Sequence, residues 1–344
     1  MLDPKYTITN KLLSNIKKIS EIVAILNNQN FSNVVLMSFE KKARETSAYS
    51  STSIEGNPLP LTEVKRILKS KPEYIRDTEK EVLNYNEAFK KLNDDLKNHP
   101  FDLKLILNIQ KTITNGLIAK QHSGKLRKEP VVVNDPATSR IIYMPPNYGE
   151  VEEMLKDLLV YIQKNEDIVD SLILAGIFHR QFVIIHPFID GNRRTARLAT
   201  KILLAKIGLN TFNLFSFENY YNKNVTKYFK EVGILGDYYE KKDNIDFTSW
   251  LEYFTEGIID ELLRVQKELK NETISPKEEL KEWHYKILDY IKKKGYIRDK
   301  DYSKLVNRAK PTRNLDFRKL IDLKLIEKLG KGKATYYKFK KDNF

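Results

Sequence analysis

The stretch from His186 to Arg197, HPFIDGNRRTAR, brings together residue types that can do chemistry on a phosphate group. His186 is a titratable base near neutral pH. Asp190 offers the hard oxygen ligand that Mg²⁺ binds together with substrate phosphates. Gly191 and Asn192 predict a turn into a helix, whose N–H groups and dipole favour an anion. The stretch therefore places a base and an acid in front of an anion-binding turn.

Three arginines follow this turn, at positions 193, 194 and 197. On a helix Arg194 and Arg197 share a face, and Arg193 and Arg197 also do, because residues three and four apart are neighbours. Guanidinium groups donate paired hydrogen bonds to phosphate oxygens. Arginines alone are usually solvated surface residues. In this ordered set they favour a nucleotide–Mg²⁺ site that transfers a phosphorus group to an acceptor hydroxyl.

The elements that must position this stretch are mostly helical. Helical periodicity prevails up to about residue 120, and DIVDSLILAGIFHRQFVII predicts a buried helix that Pro187 ends. The β-rich runs Val131–Val133 and Ile141–Tyr143 predict one hairpin, closed by Pro145–Pro146. The sequence therefore predicts a mainly α fold with a β-hairpin.

A second stretch, SSTSIEGN, lies upstream and predicts the end of a helix that carries Ser51 and Glu55. A helix is predicted over about 38–56, because Gly56 can end a helix and Pro58 cannot continue one. Ser51 and Glu55 are four apart and lie on one face of such a helix. Alone, Glu55 would simply end a helix and meet solvent.

The C-terminal part of the chain is strongly basic. Residues 277–344 hold 17 Lys and 4 Arg against 10 Asp and Glu, which is +11 of the chain's net charge of +14. Three predicted short helices and two strand-like runs outline a winged helix-turn-helix over 276–344. The candidate DNA contacts on its recognition helix and wing are Arg313, Arg318, Lys319, Lys331 and Lys333. DNA and a protein partner stay equally open, because charge alone does not specify a sequence reader.

HPFIDGNRRTAR resembles the signature of the Fic family, H-x-F-x-[DE]-G-N-G-R-x-x-R, and the wider resemblance covers roughly residues 30–260. It implies a mainly α fold: a Fic-type helical core with a β-hairpin flap where a target docks. Most members transfer AMP from ATP to a Ser, Thr or Tyr hydroxyl of a target protein (AMPylation). We therefore expect an N-terminal helical region over 1–110, a Fic core over 111–270 with its flap at 130–145, and the winged helix after it.

The resemblance implies a role for each matching residue. His186 would be the general base, Asp190 the ligand of Mg²⁺, and Phe188 a buried anchor of the loop. Arg194 would bind the β-phosphate and Arg197 the γ-phosphate of ATP. The full set of nucleotide-binding candidates is Gly191, Asn192, Arg193, Arg194, Arg197 and, on weaker grounds, Asn224 and Tyr228.

One position departs from the signature, since Arg193 stands where the family has glycine. In the related Doc group this position is lysine, and that group transfers the γ-phosphate. Two alternatives to AMP transfer therefore stay open: a Doc-like protein kinase, and a DNA-binding regulator with a degenerate Fic core. A third alternative concerns only Arg193, whose side chain would point to solvent and leave its backbone at the turn.

Ser51-x-x-x-Glu55-Gly56 resembles the family's inhibitory pattern, [ST]-x-x-x-E-[GN]. The resemblance implies that Glu55 pairs with Arg197 and blocks the γ-phosphate of ATP. In some members this glutamate positions a water that removes AMP again, so de-AMPylation stays open.

Composition bounds the remaining expectations. The chain has 344 residues, is 41% hydrophobic and has no cysteine, which excludes disulfides and thiolate metal sites. No apolar run reaches the 18 or so residues of a membrane span, and the first residues lack a signal-peptide pattern. We expect a cytoplasmic protein without a membrane partner. The oligomeric state stays open, with a homodimer as one alternative.

Overall fold

The computed structural model describes all but a few short segments of the chain. The segments outside it are residues 1, 30, 32, 71, 99, 135–139, 207–213, 275–279, 324 and 340–344. Only the backbone is described at residues 33, 34, 37, 93–98, 206, 271–274 and 333.

The described residues form two compact units, each with its own internal contacts. Unit 1 comprises residues 1–29 and 43–266, and unit 2 comprises residues 30–42 and 267–344. The predicted boundaries at residues 110, 270 and 276 stay predictions.

Helices make up most of unit 1. Up to residue 274, α1 to α12 run over Asn10–Asn27, Asn33–Ser53, Leu61–Lys69, Asp77–Asn98, Leu103–Ile113, Val151–Lys164, Ser171–Ile185, Asn192–Lys206, Phe217–Lys223, Val225–Val232, Tyr238–Lys241 and Thr248–Ile274.

Helix α7 forms the centre of unit 1. Every residue from Leu172 to Ile185 is buried, as expected for a helix that is apolar on nearly all sides. Asp170 caps its start by accepting a hydrogen bond from the Leu172 amide, at 2.8 Å. Its end is the left-handed residue His186, followed by Pro187. Helix α8 packs against α7, α5 and α4, so the loop between α7 and α8 is held from several sides.

Helix α2 ends earlier than the sequence predicts. The prediction runs to residue 56, whereas the helix ends at Ser53 and residues 54–56 form a turn. Gly56 adopts a left-handed φ of 94°, and the Asn57 amide donates to the Thr52 carbonyl at 3.1 Å. This is the wrapped C-cap that glycine permits. Glu55 therefore belongs to the cap, and the prediction that it shares a continuous helix with Ser51 is wrong.

The predicted hairpin forms with altered strands. Strand β1 is Val133–Asn134 and pairs antiparallel with β2, Ile141–Met144. A third strand that sequence patterning does not indicate, β3 at Gly236–Asp237, pairs parallel to β2. The Tyr143 hydroxyl donates to the Ile184 carbonyl at 2.7 Å, which fixes this sheet to α7. The tip of the flap, residues 135–139, lies outside the described residues.

The C-terminal part of unit 2 has the order of elements that the sequence predicts. Helices α13 to α15 run over Glu282–Lys294, Asp299–Leu305 and Lys310–Asp322, and strands β4 and β5 over Ile326–Leu329 and Tyr336–Phe339. The two strands pair antiparallel, and residue 297 bridges to Tyr337. Phe317 stacks on Tyr337 in a small core, with ring centroids 3.9 Å apart. That this region is a winged helix stays a prediction.

None of the described helices is both long enough and apolar enough to cross a membrane.

Candidate active site

The loop between α7 and α8 is closed by its own side chains. Asn192 accepts a hydrogen bond from the Phe188 amide and donates one to the Phe188 carbonyl, both at 2.8 Å. Phe188 is fully buried against Phe182. Gly191 has φ 82°, and a Cβ there would lie 3.0 Å from Ile113, so glycine is needed at this turn. Asn192 thus shapes the loop with its side chain, and its backbone begins α8.

The start of α8 presents N–H groups at this loop. The Thr195 amide donates to the Gly191 carbonyl at 2.8 Å, so Gly191 is the residue before the first helical turn. The amides of residues 192 to 194 therefore have no acceptor within the helix. With the helix dipole, they favour an anion at this end.

His186 is held in an unusual backbone conformation. Its φ of 51° is the single left-handed value among the described residues other than glycine, and such a conformation persists only where the surroundings impose it. Its Nδ1 lies 3.2 Å from the Val183 carbonyl. Since a carbonyl only accepts, the ring proton belongs on Nδ1, and Nε2 carries the lone pair of a base.

Burial and the positive charge of Arg193 lower the pKa of His186 to about 3. The hydrogen bond to Val183 and the charge of Glu55 oppose this shift. His186 is therefore neutral at pH 7, which is the form a general base needs.

Arg127 is a structural residue of the site that the sequence analysis missed. Its Nε donates to the His186 carbonyl at 2.8 Å, and one terminal nitrogen donates to the carbonyls of Pro146, at 2.6 Å, and Ile185, at 3.4 Å. Its own amide donates to the Pro187 carbonyl at 2.9 Å. Arg127 therefore ties the base of the flap to the backbone that carries His186. Because its acceptors are carbonyls, no residue type in the sequence signals this role.

Arg197 is fully buried and bound to the end of α2. Its Nε donates to the Ser51 hydroxyl at 2.8 Å, and one terminal nitrogen donates to the Ser51 carbonyl and to Glu55, both at 2.9 Å. The contact between Glu55 and Arg197 is the one that the resemblance implies, and the two hydrogen bonds to Ser51 come in addition to it.

Arg193 binds the same carboxylate. Its guanidinium donates to the second oxygen of Glu55 at 2.6 Å and lies over the Phe229 ring, 4.5 Å from its centroid. The Arg193 side chain is only 17% exposed. The alternative in which Arg193 points to solvent is therefore wrong, because a carboxylate and an aromatic face both hold it. We call the contacts of Ser51 and Glu55 with Arg193 and Arg197 the latch.

The latch fixes the charge of Glu55. Burial alone would raise the pKa of Glu55, but the charges of Arg193, Arg197 and Arg194 lower it to about 2. Glu55 is thus an anion at any physiological pH. Its two oxygens accept from the guanidinium groups of Arg193 and Arg197.

Arg194 faces a different pair of carboxylates. It binds Asp190 at 2.7 Å and also forms an ion pair with Glu81, which in turn accepts from Asn57 at 2.8 Å. Burial raises the pKa of Glu81, and the charge of Arg194 opposes this. Glu81 lies in α4, far away in sequence, and the sequence analysis did not identify it.

Asp190 fits the role of a Mg²⁺ ligand shared with a substrate. One of its oxygens accepts from Arg194, and its side chain is 44% exposed. No group of three or more His, Cys, Asp or Glu among the described residues could hold a metal by itself. A single carboxylate suffices for Mg²⁺ when phosphates and water complete its shell.

A chain of hydrogen bonds connects Arg197 to Tyr228 and His179. The Tyr228 hydroxyl lies 3.3 Å from Arg197 and 3.1 Å from His179 Nε2, and His179 Nδ1 lies 3.1 Å from Thr200. Burial holds the pKa of His179 well below its usual range, so its ring is neutral. Tyr228 is fully buried and stacks on Tyr221, at 4.6 Å. In this conformation Tyr228 positions Arg197 and presents no surface to a nucleotide.

Asn224, the other weaker nucleotide-binding candidate, caps α10. Its side chain accepts a hydrogen bond from the Lys227 amide at 3.0 Å, and the residue is exposed. Its binding role stays a prediction.

A buried polar cluster lies under the preceding turn of α2. Glu218 accepts from Lys201 at 3.0 Å, Tyr85 at 2.9 Å and Ser47 at 3.3 Å. Ser47 precedes Ser51 by one helical turn, so the cluster holds α2 in the register that the latch needs.

The DNA-binding candidates of unit 2 differ in their surroundings. Arg313 forms a two-fold contact with Asp299, both distances being 2.8 Å, and donates to the Arg308 carbonyl. Arg318 and Lys331 are exposed, whereas Lys319 is half-buried and has a partner. The side chain of Lys333 lies outside the described residues.

Comparisons with known proteins show which family this chain is similar to. The Fic/DOC family model matches residues 96–204. The chain is 30% identical over 182 residues to protein adenylyltransferase Fic of Aedes aegypti, covering 51% of this chain and 35% of that protein. It is 30% identical over 168 residues to protein adenylyltransferase fic-1 of Caenorhabditis elegans, covering 46% and 31%. The chain thus spans about a third of the length of these relatives.

Solved structures show the same fold. A Fic family protein from Desulfovibrio desulfuricans has a TM-score of 0.65 at 19% identity, with 98% of each chain covered. A Fic domain containing signaling protein from Bacteroides thetaiotaomicron has a TM-score of 0.61 at 19% identity, covering 79% of this chain and all of the other. The predicted fold class, a mainly α chain with a Fic-type core, is confirmed, and the similarity to the Fic/DOC family model lies within residues 96–204.

Proposed function

We propose that this chain is a protein adenylyltransferase that moves AMP from ATP to a Ser, Thr or Tyr hydroxyl of a target protein or of itself. The observation that carries the proposal is the neutral His186, whose Nε2 is available as a base in a loop joined to the arginines of α8. The relatives named protein adenylyltransferase add support.

The reaction follows from these groups. Nε2 of His186 takes the proton of the target hydroxyl while the oxygen of that hydroxyl attacks the α-phosphorus. A new O–P bond forms, the bond between the α-phosphorus and its bridging oxygen breaks, and pyrophosphate leaves with the electron pair. Arg194 and Arg197 would hold the β- and γ-phosphates as charge moves onto them. Mg²⁺ at Asp190 would neutralise phosphate charge.

The latch accounts for inhibition in this proposal. Glu55 occupies the guanidinium groups of Arg193 and Arg197, so a triphosphate must displace an internal carboxylate to bind. Removing the carboxylate frees both arginines. We therefore propose an autoinhibited enzyme, with ATP as its substrate and Mg²⁺ as its cofactor.

Labelling with α-³²P-ATP and γ-³²P-ATP tests this function. Glu55→Gly should raise transfer of the α-label by tenfold or more, on the order of one lost ion pair, and His186→Ala in that background should abolish it. Transfer of the γ-label alone would instead support the Doc-like kinase. No transfer of either label, together with tight DNA binding, would support the regulator with a degenerate core.

The removal of AMP from a modified target, de-AMPylation, is measured separately. AMP release from a target labelled beforehand should require Glu55 if this carboxylate positions the attacking water. The comparison of Glu55 with Glu55→Gln decides this, because the amide keeps the shape and loses the charge. A cytoplasmic location and a homodimer stay predictions.

We also propose that unit 2 binds double-stranded DNA. The exposed residues of α15 include Lys310 and Arg318, and Lys331 is exposed between β4 and β5. Cations on a helix and on the adjoining strand turn suit phosphate contacts. Fluorescence anisotropy with a mixed-sequence duplex at rising salt tests this. Binding that ignores salt, or none at all, would favour a protein partner for this surface.

A further inference from the structure

Arg193 belongs to the latch and lies in the first turn of α8, directly after the loop that carries His186. It binds one oxygen of Glu55, while Arg197, one helical turn further on, binds the other. The ring of Phe229 lies under its guanidinium, 4.5 Å away. The side chain therefore has a second contact that does not depend on Glu55.

The carboxylate of Glu55 stands in for a phosphate in this arrangement. Its two oxygens are shared between two guanidinium groups at the start of α8, where N–H groups and the helix dipole also favour an anion. A phosphate group accepts hydrogen bonds from the same kind of donors. Without Glu55, Arg193 and Arg197 would face each other with no anion between them.

Charge balance at the loop leads to the same conclusion. Arg194 is offset by Asp190 and Glu81, whereas Glu55 alone offsets both Arg193 and Arg197 in the described contacts. Loss of Glu55 would leave two cations within one turn of a helix. Such a pair lowers its free energy most by binding a multiply charged anion.

We infer that Arg193 has two opposed roles: it holds Glu55 in the latch, and it binds phosphate once Glu55 withdraws. The first role inhibits ligand binding and the second promotes it. The inference deepens the proposed function, on which it rests for the identity of the ligand as a nucleoside triphosphate. Phe229 keeps the guanidinium at the site through the exchange, because a cation over an aromatic face needs no other partner.

The two roles predict that the effect of Arg193 on anion binding changes sign with Glu55. With Glu55 present, Arg193→Gln removes one arm of the latch, so an incoming anion displaces Glu55 more easily. With Glu55→Gln, the same substitution removes a phosphate ligand. In the second background we expect binding to weaken about tenfold, the loss of one charge-assisted phosphate contact. In the first background the same contact is also lost, but breaking a buried ion pair weakens the latch by more than that contact, so binding should tighten.

Calorimetry on four proteins tests this: the natural chain, Glu55→Gln, Arg193→Gln and the double variant. The probe is inorganic tripolyphosphate, with ATP and AMP as further ligands. ATP should follow tripolyphosphate, and AMP should change least because it carries one phosphate. Arg193→Lys keeps the charge, so with Glu55→Gln it should restore most of the affinity that Arg193→Gln loses.

The control is Arg66→Gln, which breaks an exposed ion pair with Glu63 in α3 and should leave all affinities unchanged. Tightening in both backgrounds would mean that Arg193 belongs to the latch alone. Weakening in both would mean that it only binds ligand, and no binding by any variant would mean that it binds no phosphate. Each result overturns the inference. AMP transfer without the change of sign would support the proposed function and overturn this role of Arg193. A change of sign without AMP transfer would support the role of Arg193 and overturn the proposed function.

Discussion

The arginines of the two units are used in different ways. In α8 of unit 1, Arg197 is fully buried, and its side chain donates to three defined groups: Ser51, Glu55 and Tyr228. In unit 2, Arg318 lies exposed on α15. A buried arginine acts through geometry, because its donors must meet acceptors at fixed places. An exposed one acts through its field, which salt screens.

Unit 2 shows the same division within a single helix. Arg313 turns inward to Asp299 and fixes the turn between α14 and α15, whereas Arg318, five residues later, is exposed. In the small core of this unit, the Asp316 carboxylate accepts hydrogen bonds from the Tyr302 hydroxyl at 2.8 Å and from Arg308 Nε at 3.0 Å. Net charge therefore overstates what this region offers to a polyanion, since some of its cations are structural.

The largest effect should follow Arg197→Met, a substitution of similar length without charge. It removes the Arg197 donors from Ser51 and Tyr228 and leaves Glu55 with only Arg193, so unit 1 should lose about 3–5 kcal/mol. Urea denaturation with Trp250 fluorescence measures this in a Trp283→Phe background, because the chain has two tryptophans and Trp283 lies in unit 2. Glu55→Gln is the matched control, and it should cost less because Arg197 keeps Ser51. If Arg197→Met lowers the free energy of unfolding by less than about 1 kcal/mol, the burial of Arg197 does not determine its contribution to stability.

The sequence predicts one side of this comparison better than the other. The order of residues in HPFIDGNRRTAR predicts the loop and the start of α8, because turn residues and helix caps act locally. Arg127 and Glu81 were missed because their partners lie far away in sequence and are chosen by packing. Strand β3 was missed for the same reason, as two residues carry no periodicity. On α15, charge predicted Arg313 and Arg318 alike, and only the fold distinguishes them.

The second prediction concerns exposed charge. Arg318→Gln with Lys331→Gln should lower DNA affinity about tenfold near 0.1 M salt and reduce the slope of log K against log salt by about 1.8, since each phosphate contact contributes about 0.9. Anisotropy titrations at four salt concentrations measure both quantities. An unchanged slope would remove α15 and the β4–β5 turn from the DNA surface.

The third prediction uses pH to probe buried geometry. The pKa of His186 is about 3 in the folded chain and near 6.5 when unfolded. Below pH 6.5 the unfolded chain therefore binds a proton that the folded chain refuses, and stability falls as pH decreases toward 3. The natural chain should lose stability relative to His186→Gln by at most about 1.4 kcal/mol per pH unit between 6.5 and 4.5. Above pH 7 the difference between the two should be constant.

Urea denaturation at pH 7.5, 6.5, 5.5 and 4.5 checks this, again with Trp250 as the probe. His179 is present in both proteins, so its titration cancels in the difference. Glu55 stays ionised in this range in both, because the latch lowers its pKa to about 2. Parallel pH profiles would mean that His186 is accessible to protons in the folded state.

The smallest effect separates the two arginines of α15. Arg313→Gln breaks the two-fold contact with Asp299 and should cost unit 2 at most about 1 kcal/mol, because the pair lies near the surface. Hydrogen exchange of amides in Asp299–Asp322 should rise accordingly. DNA affinity and its salt slope should stay within about twofold of the natural chain, since the Arg313 charge is already offset by Asp299. Equal losses of affinity from Arg313→Gln and Arg318→Gln would show that the duplex draws Arg313 away from Asp299, and that a paired cation in this unit still counts toward its field.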